Sequence, residues 1–269
     1  MLATSLALAL SSPLALAIEH TWTGNGLNAL WSTGDIVSGT TPNWTNPFLF
    51  GITPVNSDFM TFVSSKQPVN TNDYANLSVL GVGFAQGTAA FTLGGNRLTV
   101  GAQGIINNSS LVQTFNMPIT VGALNSTWDG GTAGLSFNGG VNLGNNNLTL
   151  NNKVAVNLDS ADVIVGDNGA ASLTLNSGSS LRNINGVVGN NQNSMGVATV
   201  TGAGTTWANS GNLDIGRSGS GTLNISSGGS VTNTGGSIGY TSRSGSVSPT
   251  VGQEASTRNM ASVTGVGSS

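Results

Sequence analysis

The stretch that decides the fold is residues 162–189, DVIVGDNGAASLTLNSGSSLRNINGVVG, because it aligns without a gap with residues 212–239, NLDIGRSGSGTLNISSGGSVTNTGGSIG. Each aligned pair is 50 residues apart, as Leu173 and Leu223 are. Glycines that close short apolar runs recur at positions 166, 189, 216 and 239, with an equal interval inside each copy and a slightly longer one between the copies. Internal repetition at such a period is the signature of a repeat architecture. The sequence therefore predicts a repeating subunit of about 25 residues.

Each subunit contains three short segments that alternate apolar and polar residues, such as SLTLNS and GTLNIS, separated by glycine-containing turns. Three such strands close one coil, and stacked coils place equivalent strands about 4.8 Å apart as parallel pairs. An antiparallel sandwich or barrel also suits strands of this spacing, but the constant period favours an all-β parallel solenoid. The residues that we predict to point inward are Leu173, Leu175, Ile184, Val200, Leu223, Ile225 and Val231.

Glycine and asparagine are the residues that such coils need at their corners. Glycine supplies positive φ and allows close approach between coils. Asparagine tolerates the same left-handed geometry, and its amides can stack from coil to coil. The 40 glycines of the 269 residues therefore agree with the predicted solenoid.

Composition excludes several classes of function. The 10 acidic and 7 basic residues make only 6% of the chain, which leaves a net charge of −3 and no basic surface for nucleic acid. Without cysteine there is no disulfide framework, zinc ribbon or thiol nucleophile. A histidine-dependent catalytic triad would have to use His20, the single histidine. Disordered chains have few hydrophobic residues and a high net charge, whereas this chain has 38% hydrophobic residues and a small net charge.

The organisation predicted along the chain has four parts. Residues 1–17 form an apolar, Ala/Leu-rich run that ends with Ala15 and Ala17, small residues at −3 and −1, and we predict a signal peptide. No later stretch is apolar for long enough to span a bilayer, so no transmembrane helix is predicted. An aromatic-rich N-terminal cap is expected over 18–65, and looser coils over 66–158.

Residues 159–269 are expected to form the regular repeats. An insertion interrupts the last of them near Gly245–Arg258, and a protruding loop is expected there. The final GVGSS matches GAGTT of the preceding repeat, so the chain is expected to end within a repeat as a fragment of a longer protein.

The segments GNLDIGRSGSGTLNISSGGSVTNTGGSIGY (211–240), VATVTGAGTTWANSG (197–211) and 94–150 resemble the passenger repeats of bacterial autotransporters, with their autotransporter-associated β-strand regions. The resemblance implies a right-handed parallel β-helix passenger, displayed at or released from the surface of a Gram-negative cell by type V secretion. Many relatives are adhesins or biofilm factors. Such a passenger is normally followed by a translocator β-barrel in the outer membrane, and we expect that barrel outside this sequence.

Enzymes also occur among parallel β-helices, and glycoside hydrolysis requires a pair of carboxylates. The best cluster is Asp159, Asp162 and Asp167, with Lys153 and Arg182 nearby. An odd separation would point the first two in opposite directions on a strand, and the aligned repeat replaces Asp162 by asparagine and Asp167 by arginine. We interpret all three as turn residues and predict no catalytic, cofactor-binding or metal site.

Threonines and aromatic residues suggest two further surface functions. An ice-binding face would need a Thr-x-Thr rank on successive coils, whereas Thr174, Thr199 and Thr222 recur singly. Aromatic rings can stack on sugar faces, and the N-terminal cluster contains three tryptophans. Either these rings plug the open end of the solenoid or they form a glycan platform, with the candidate contacts Trp22, Trp31 and Trp44.

The function predicted is that of an exported, surface-displayed or released structural and adhesive module for cell adhesion or biofilm matrix. Its expected partners are glycans, extracellular matrix or neighbouring cell surfaces, together with a translocator barrel outside this chain. A secreted β-helix polysaccharide lyase or hydrolase and an inert fragment of a larger autotransporter are the alternatives.

Overall fold

The computed structural model describes residues 18–33, 41–46, 53–239 and 260–269. These residues contain no helix, and their strands stack in parallel as a β-solenoid of about eight turns. The predicted all-β parallel β-helix is therefore confirmed. The predicted signal peptide (1–17) and the loop predicted near 245–258 lie outside the described residues.

The strands of the described residues are short, from two residues in β2 to ten in β7. In chain order they are β1 (Glu19–Trp22), β2 (Trp44–Thr45), β3 (Phe59–Phe62), β4 (Val69–Asn72), β5 (Leu77–Phe84), β6 (Thr92–Gly95), β7 (Leu98–Asn107), β8 (Gln113–Phe115), β9 (Ile119–Val121), β10 (Asn125–Asp129), β11 (Leu135–Phe137), β12 (Val141–Asn142), β13 (Asn147–Asn151), β14 (Val154–Leu158), β15 (Val163–Val165), β16 (Ala170–Asn176), β17 (Ser180–Asn183), β18 (Gly186–Val188), β19 (Met195–Thr201), β20 (Thr206–Asn209), β21 (Asn212–Ile215), β22 (Ser220–Ser226), β23 (Ser230–Thr232), β24 (Gly235–Ile238) and β25 (Met260–Thr264).

Three sheets form the sides of the solenoid. The first sheet runs β2-β1-β3-β5-β7-β10-β13-β16-β19-β22-β25, with β9 paired to β7 and β12 paired to β9. The second runs β4-β6-β8-β11-β14-β17-β20-β23, and the third runs β15-β18-β21-β24. From β13 to β24 each coil contributes one strand to each sheet, as the three-strand subunit predicts. Strand β2 pairs with β1 antiparallel and lies at the N-terminal edge of the first sheet.

The register repeats with a constant step in the regular coils. Leu150, Leu175, Val200 and Ile225 lie side by side on successive strands, at one constant interval along the chain. Val263 is next in this row, but it follows Ile225 after a longer interval, so the register accommodates the predicted insertion. From β3 to β13 the step from coil to coil is shorter and varies slightly, which hides the repeat from a simple alignment, whereas a longer stretch of chain separates β1 from β3.

The interior is filled by the inward residues of all three sheets. The prediction is correct for five positions with at most 5% exposure, namely Leu173, Leu175, Val200, Leu223 and Ile225. It is wrong for Ile184, which is half-buried, because strand β17 turns Asn183 inward instead. Asn183 is 2% exposed, accepts a hydrogen bond from Trp207 Nε1 at 2.7 Å and donates to Asn209 Oδ1 at 2.8 Å. Val231 is half-buried and packs against the core.

The glycines at the predicted corners have the predicted backbone geometry. Gly166, Gly189, Gly216 and Gly239 have φ between 74° and 78°. Positive φ is costly for other residues. A Cβ at Gly189 would also lie 2.3 Å from the carbonyl oxygen of Ser220 in the next coil. Backbone conformation and coil-to-coil distance therefore both require glycine at this corner.

Candidate functional site

The three tryptophans of the N-terminal region lie in the interior. Trp22, Trp31 and Trp44 are each 0% exposed, and the ring centroids of Trp22 and Trp44 are 5.0 Å apart. Their indole N–H groups donate within the protein, to the carbonyl of Lys66, the side chain of Asn70 and the carbonyl of Trp31. The glycan contact suggested for these tryptophans is therefore corrected: their rings pack against one another, and no face is left for a sugar.

The candidate carboxylates have separate partners. Asp159 lies 3.4 Å from Arg182, and both side chains are well exposed. Asp162 accepts hydrogen bonds from the backbone and side-chain amides of Asn185, each at 3.0 Å. Lys153 donates to a backbone carbonyl at 2.8 Å. In the part of the chain that the structure describes, no group of three or more His, Asp or Glu residues could hold a metal ion.

Asp167, the third candidate carboxylate, lies in the turn after β15. Its carboxylate accepts hydrogen bonds from the side-chain amides of Asn190 at 2.6 Å, Asn191 at 3.0 Å and Asn168 at 3.0 Å. Two of these donors belong to the next coil, so this carboxylate links two successive corners. The geometry is that of a structural turn.

A buried acid–base pair joins β1 to the loop before β3, and no pattern in the sequence indicates it. His20 is 1% and Asp58 3% exposed, and His20 Nδ1 lies 3.2 Å from Asp58 Oδ2. Asp58 also accepts hydrogen bonds from the backbone amides of Val55 and Ile18. Burial lowers the pKa of His20, against the opposing attraction of the Asp58 carboxylate. A pair this deeply buried is closed to a substrate, and it connects β1 with the residue directly before β3.

The outer face of the first sheet carries an uncharged polar array over β13, β16, β19 and β22. The register places Thr149, Thr174 and Thr199 side by side, with Thr127 before them and Asn224 after them. We call this row the threonine column. The flanking outward residues of these strands are the apolar Val197 and the polar residues Asn147, Asn151, Ser172, Asn176, Thr201, Thr222 and Ser226. Parallel strands about 4.8 Å apart repeat these hydroxyls and amides at a fixed interval.

The threonine column corrects one detail of the sequence interpretation. Thr174 and Thr199 belong to one row of neighbouring threonines, whereas Thr222 pairs with Val197 in the adjacent row. Only the register adds Thr127 to the column, because the step from β10 to β13 is shorter than the steps of the regular coils. Hydrogen bonds also run between coils on this face, such as Ser226 Oγ to Thr201 Oγ1 at 2.9 Å.

The interior contains a small apolar gap that is enclosed by residues of the segment from β12 to β17. This gap has a volume of about 10 Å³ and is lined only by Val141, Leu143, Leu148, Leu150, Val156, Leu158, Val163, Leu173 and Leu181. A buried water needs roughly this volume together with two to four polar partners. The lining of this gap therefore offers a water molecule no hydrogen-bonding side chain.

The chain matches no family model, no curated protein and no solved structure. Among the described residues, none forms a helix long and apolar enough to cross a membrane.

Proposed function

We propose that this chain is part of an exported autotransporter-type passenger that acts as a structural and adhesive module at, or released from, the surface of a Gram-negative bacterium. The observation that supports this is the outer face of the first sheet, where neutral hydroxyls and amides recur in register over at least four coils. Each group contributes a weak hydrogen bond to a partner. Repetition on one rigid support adds these contacts into useful avidity.

The chemistry of this face fits glycans, extracellular matrix or neighbouring cell surfaces as partners. Hydroxyl and amide groups donate and accept hydrogen bonds without the salt dependence of charged contacts. The separate hydrogen-bonded partners of Asp162 and Asp167 support a role without catalysis. The translocator barrel that would display the module is a proposed partner outside this chain.

The test is to display the chain on a Gram-negative cell through a fused translocator barrel and to measure adhesion to other cells and to immobilised polysaccharide. Thr174→Lys puts a charge in the middle of the threonine column, and we expect at least a threefold loss of adhesion. Ser136→Lys is the matched control, since Ser136 is also half-buried and points outward but lies on the second sheet. Equal adhesion of both variants and the parent would contradict the proposal, as would release of sugar products by the parent chain.

A further inference from the structure

One aromatic ring of the N-terminal region lies on the outside of the solenoid. Phe59 alternates along β3 with the buried Met60 and Phe62, so it points outward on the first sheet together with Thr61. It is half-buried, unlike the enclosed tryptophans. The protein therefore covers this ring only in part.

The neighbouring strand β5 has glycines where the Phe59 ring lies against it. Gly81 lies beside Phe59 in the register and Gly83 beside Thr61, so β5 has no side chain at either outward position. A Cβ at Gly81 would lie 2.7 Å from a Phe59 ring carbon, and one at Gly83 would lie 3.2 Å away. Glycine inside a strand weakens it and often marks a close approach. The two glycines hold the ring in one place over the sheet.

Polar groups stand on both sides of this ring. Glu19 lies beside Phe59 on β1, is exposed, and accepts a hydrogen bond from Thr61 Oγ1 at 2.6 Å. On the other side is Gln103, which is exposed and whose Cβ lies 2.8 Å from the point where a Gly81 Cβ would be.

A bulge in β7 places Gln103 at this position. Val79 pairs with Val100 and Gly81 with Gly104, so positions 101–103 of β7 stand opposite a single residue of β5. Such insertions re-aim side chains and are frequent beside functional sites. The two glycines of β5 and the bulge of β7 therefore lie at the same part of the surface.

We propose that Phe59, Glu19 and Gln103 form a binding subsite for one pyranose ring of a neutral polysaccharide. The C–H bonds of a sugar face stack on the fixed phenyl ring, the Glu19 carboxylate accepts hydrogen bonds from sugar hydroxyls, and the Gln103 amide donates to a sugar oxygen. The carboxylate and the net charge of −3 disfavour acidic polymers. The inference rests on the proposed adhesive function and gives it a specific glycan contact.

The experiment is affinity electrophoresis of the purified chain in gels containing a soluble β-glucan, a mannan, a galactan or, as the acidic control, polygalacturonate. We expect retardation by at least one neutral polymer and none by polygalacturonate. Phe59→Leu preserves apolar volume without a π face and should weaken retardation at least tenfold, whereas Phe59→Tyr should retain it. Gln103→Ala changes an exposed side chain and should cost two- to fivefold. Thermal melting of each variant checks that the fold is intact.

The outcomes separate the subsite from the proposed function. Full retardation of Phe59→Leu would overturn the subsite, and adhesion lost only in Thr174→Lys would then leave the proposed function standing. No retardation of the parent by any neutral polymer would also overturn the subsite. Binding of a polylysine peptide that Glu19→Gln abolishes, without sugar binding, would assign the surface to a cationic partner instead.

Discussion

Replacing Gly189 by alanine is expected to destabilise the solenoid by about 2–5 kcal/mol. The backbone at this corner has φ +78°, and an L-residue other than glycine pays about 1–2 kcal/mol for a left-handed conformation. The new Cβ would stand 2.3 Å from the Ser220 carbonyl oxygen, so one coil must move away from the next. Overpacking of this kind costs about 1–3 kcal/mol.

Gly87 offers a control that isolates the backbone term. Its φ of +79° is nearly the same, but a Cβ there would meet nothing within 4 Å. Gly87→Ala should therefore lose only the conformational part, about 1–2 kcal/mol. Asparagine tolerates left-handed φ, so Gly87→Asn should be close to the parent while Gly189→Asn remains destabilised.

Urea unfolding followed by circular dichroism measures these differences as shifts of the midpoint at an unchanged slope. The reasoning requires Gly189→Ala to lose clearly more stability than Gly87→Ala. Equal losses would refute the claim that contact between successive coils, and not φ alone, demands glycine at this corner.

Two further perturbations probe buried polar groups. Trp207→Phe removes the donor to Asn183 Oδ1 and should cost about 1–3 kcal/mol in urea unfolding, more than Trp128→Phe, whose 3.2 Å bond is to a hydroxyl; a smaller loss for Trp207→Phe would contradict this. The folded-state pKa of His20 is lowered, so the unfolded state binds more protons as the pH falls through about 6.5. The urea concentration at the unfolding midpoint should therefore decrease in the parent as the pH is lowered from about 8 to about 5, and it should change little in His20→Gln. A parent midpoint that does not depend on pH over this range would exclude this account.

The repeat made the regular half of this fold predictable. A gapless alignment of two copies already contains the strand order, the parallel pairing and the corner glycines, because a stacked coil imposes the same local conditions at each turn. The alternation within SLTLNS then assigns Leu173 and Leu175 to the core. Pattern alone sufficed wherever each coil copies the previous one.

Prediction failed where side chains from a neighbouring coil decide the outcome. Ile184 and Asn183 are adjacent, and a shift of one residue exchanges inside and outside. The sequence pattern predicts the apolar Ile184 in the interior. The structure has Asn183 there, because its hydrogen bonds to Trp207 and Asn209 lower the free-energy cost of burying an amide. The pairing of His20 with Asp58 likewise depends on a close approach between separate parts of the chain, for which the sequence carries no periodic signal.

The scarcity of charge follows from the same stacking and shapes what the surface can bind. Two like charges about 4.8 Å apart on neighbouring strands repel by roughly 1 kcal/mol even in water, and every further coil would add to the cost. Asp214 shows how a lone charge is accommodated: its neighbours in the row are Val187 and Ser237, and Arg217 pairs with it at 2.9 Å.

Neutral hydroxyl and amide rows escape this penalty and extend with each added coil. A recognition surface built on such rows gains contacts by length and not by charge, which favours long neutral partners. A single lysine at Thr174 would have Thr149 and Thr199 as its row neighbours, both uncharged. It should therefore leave the fold intact, so that a loss of adhesion in this variant reports on the face itself.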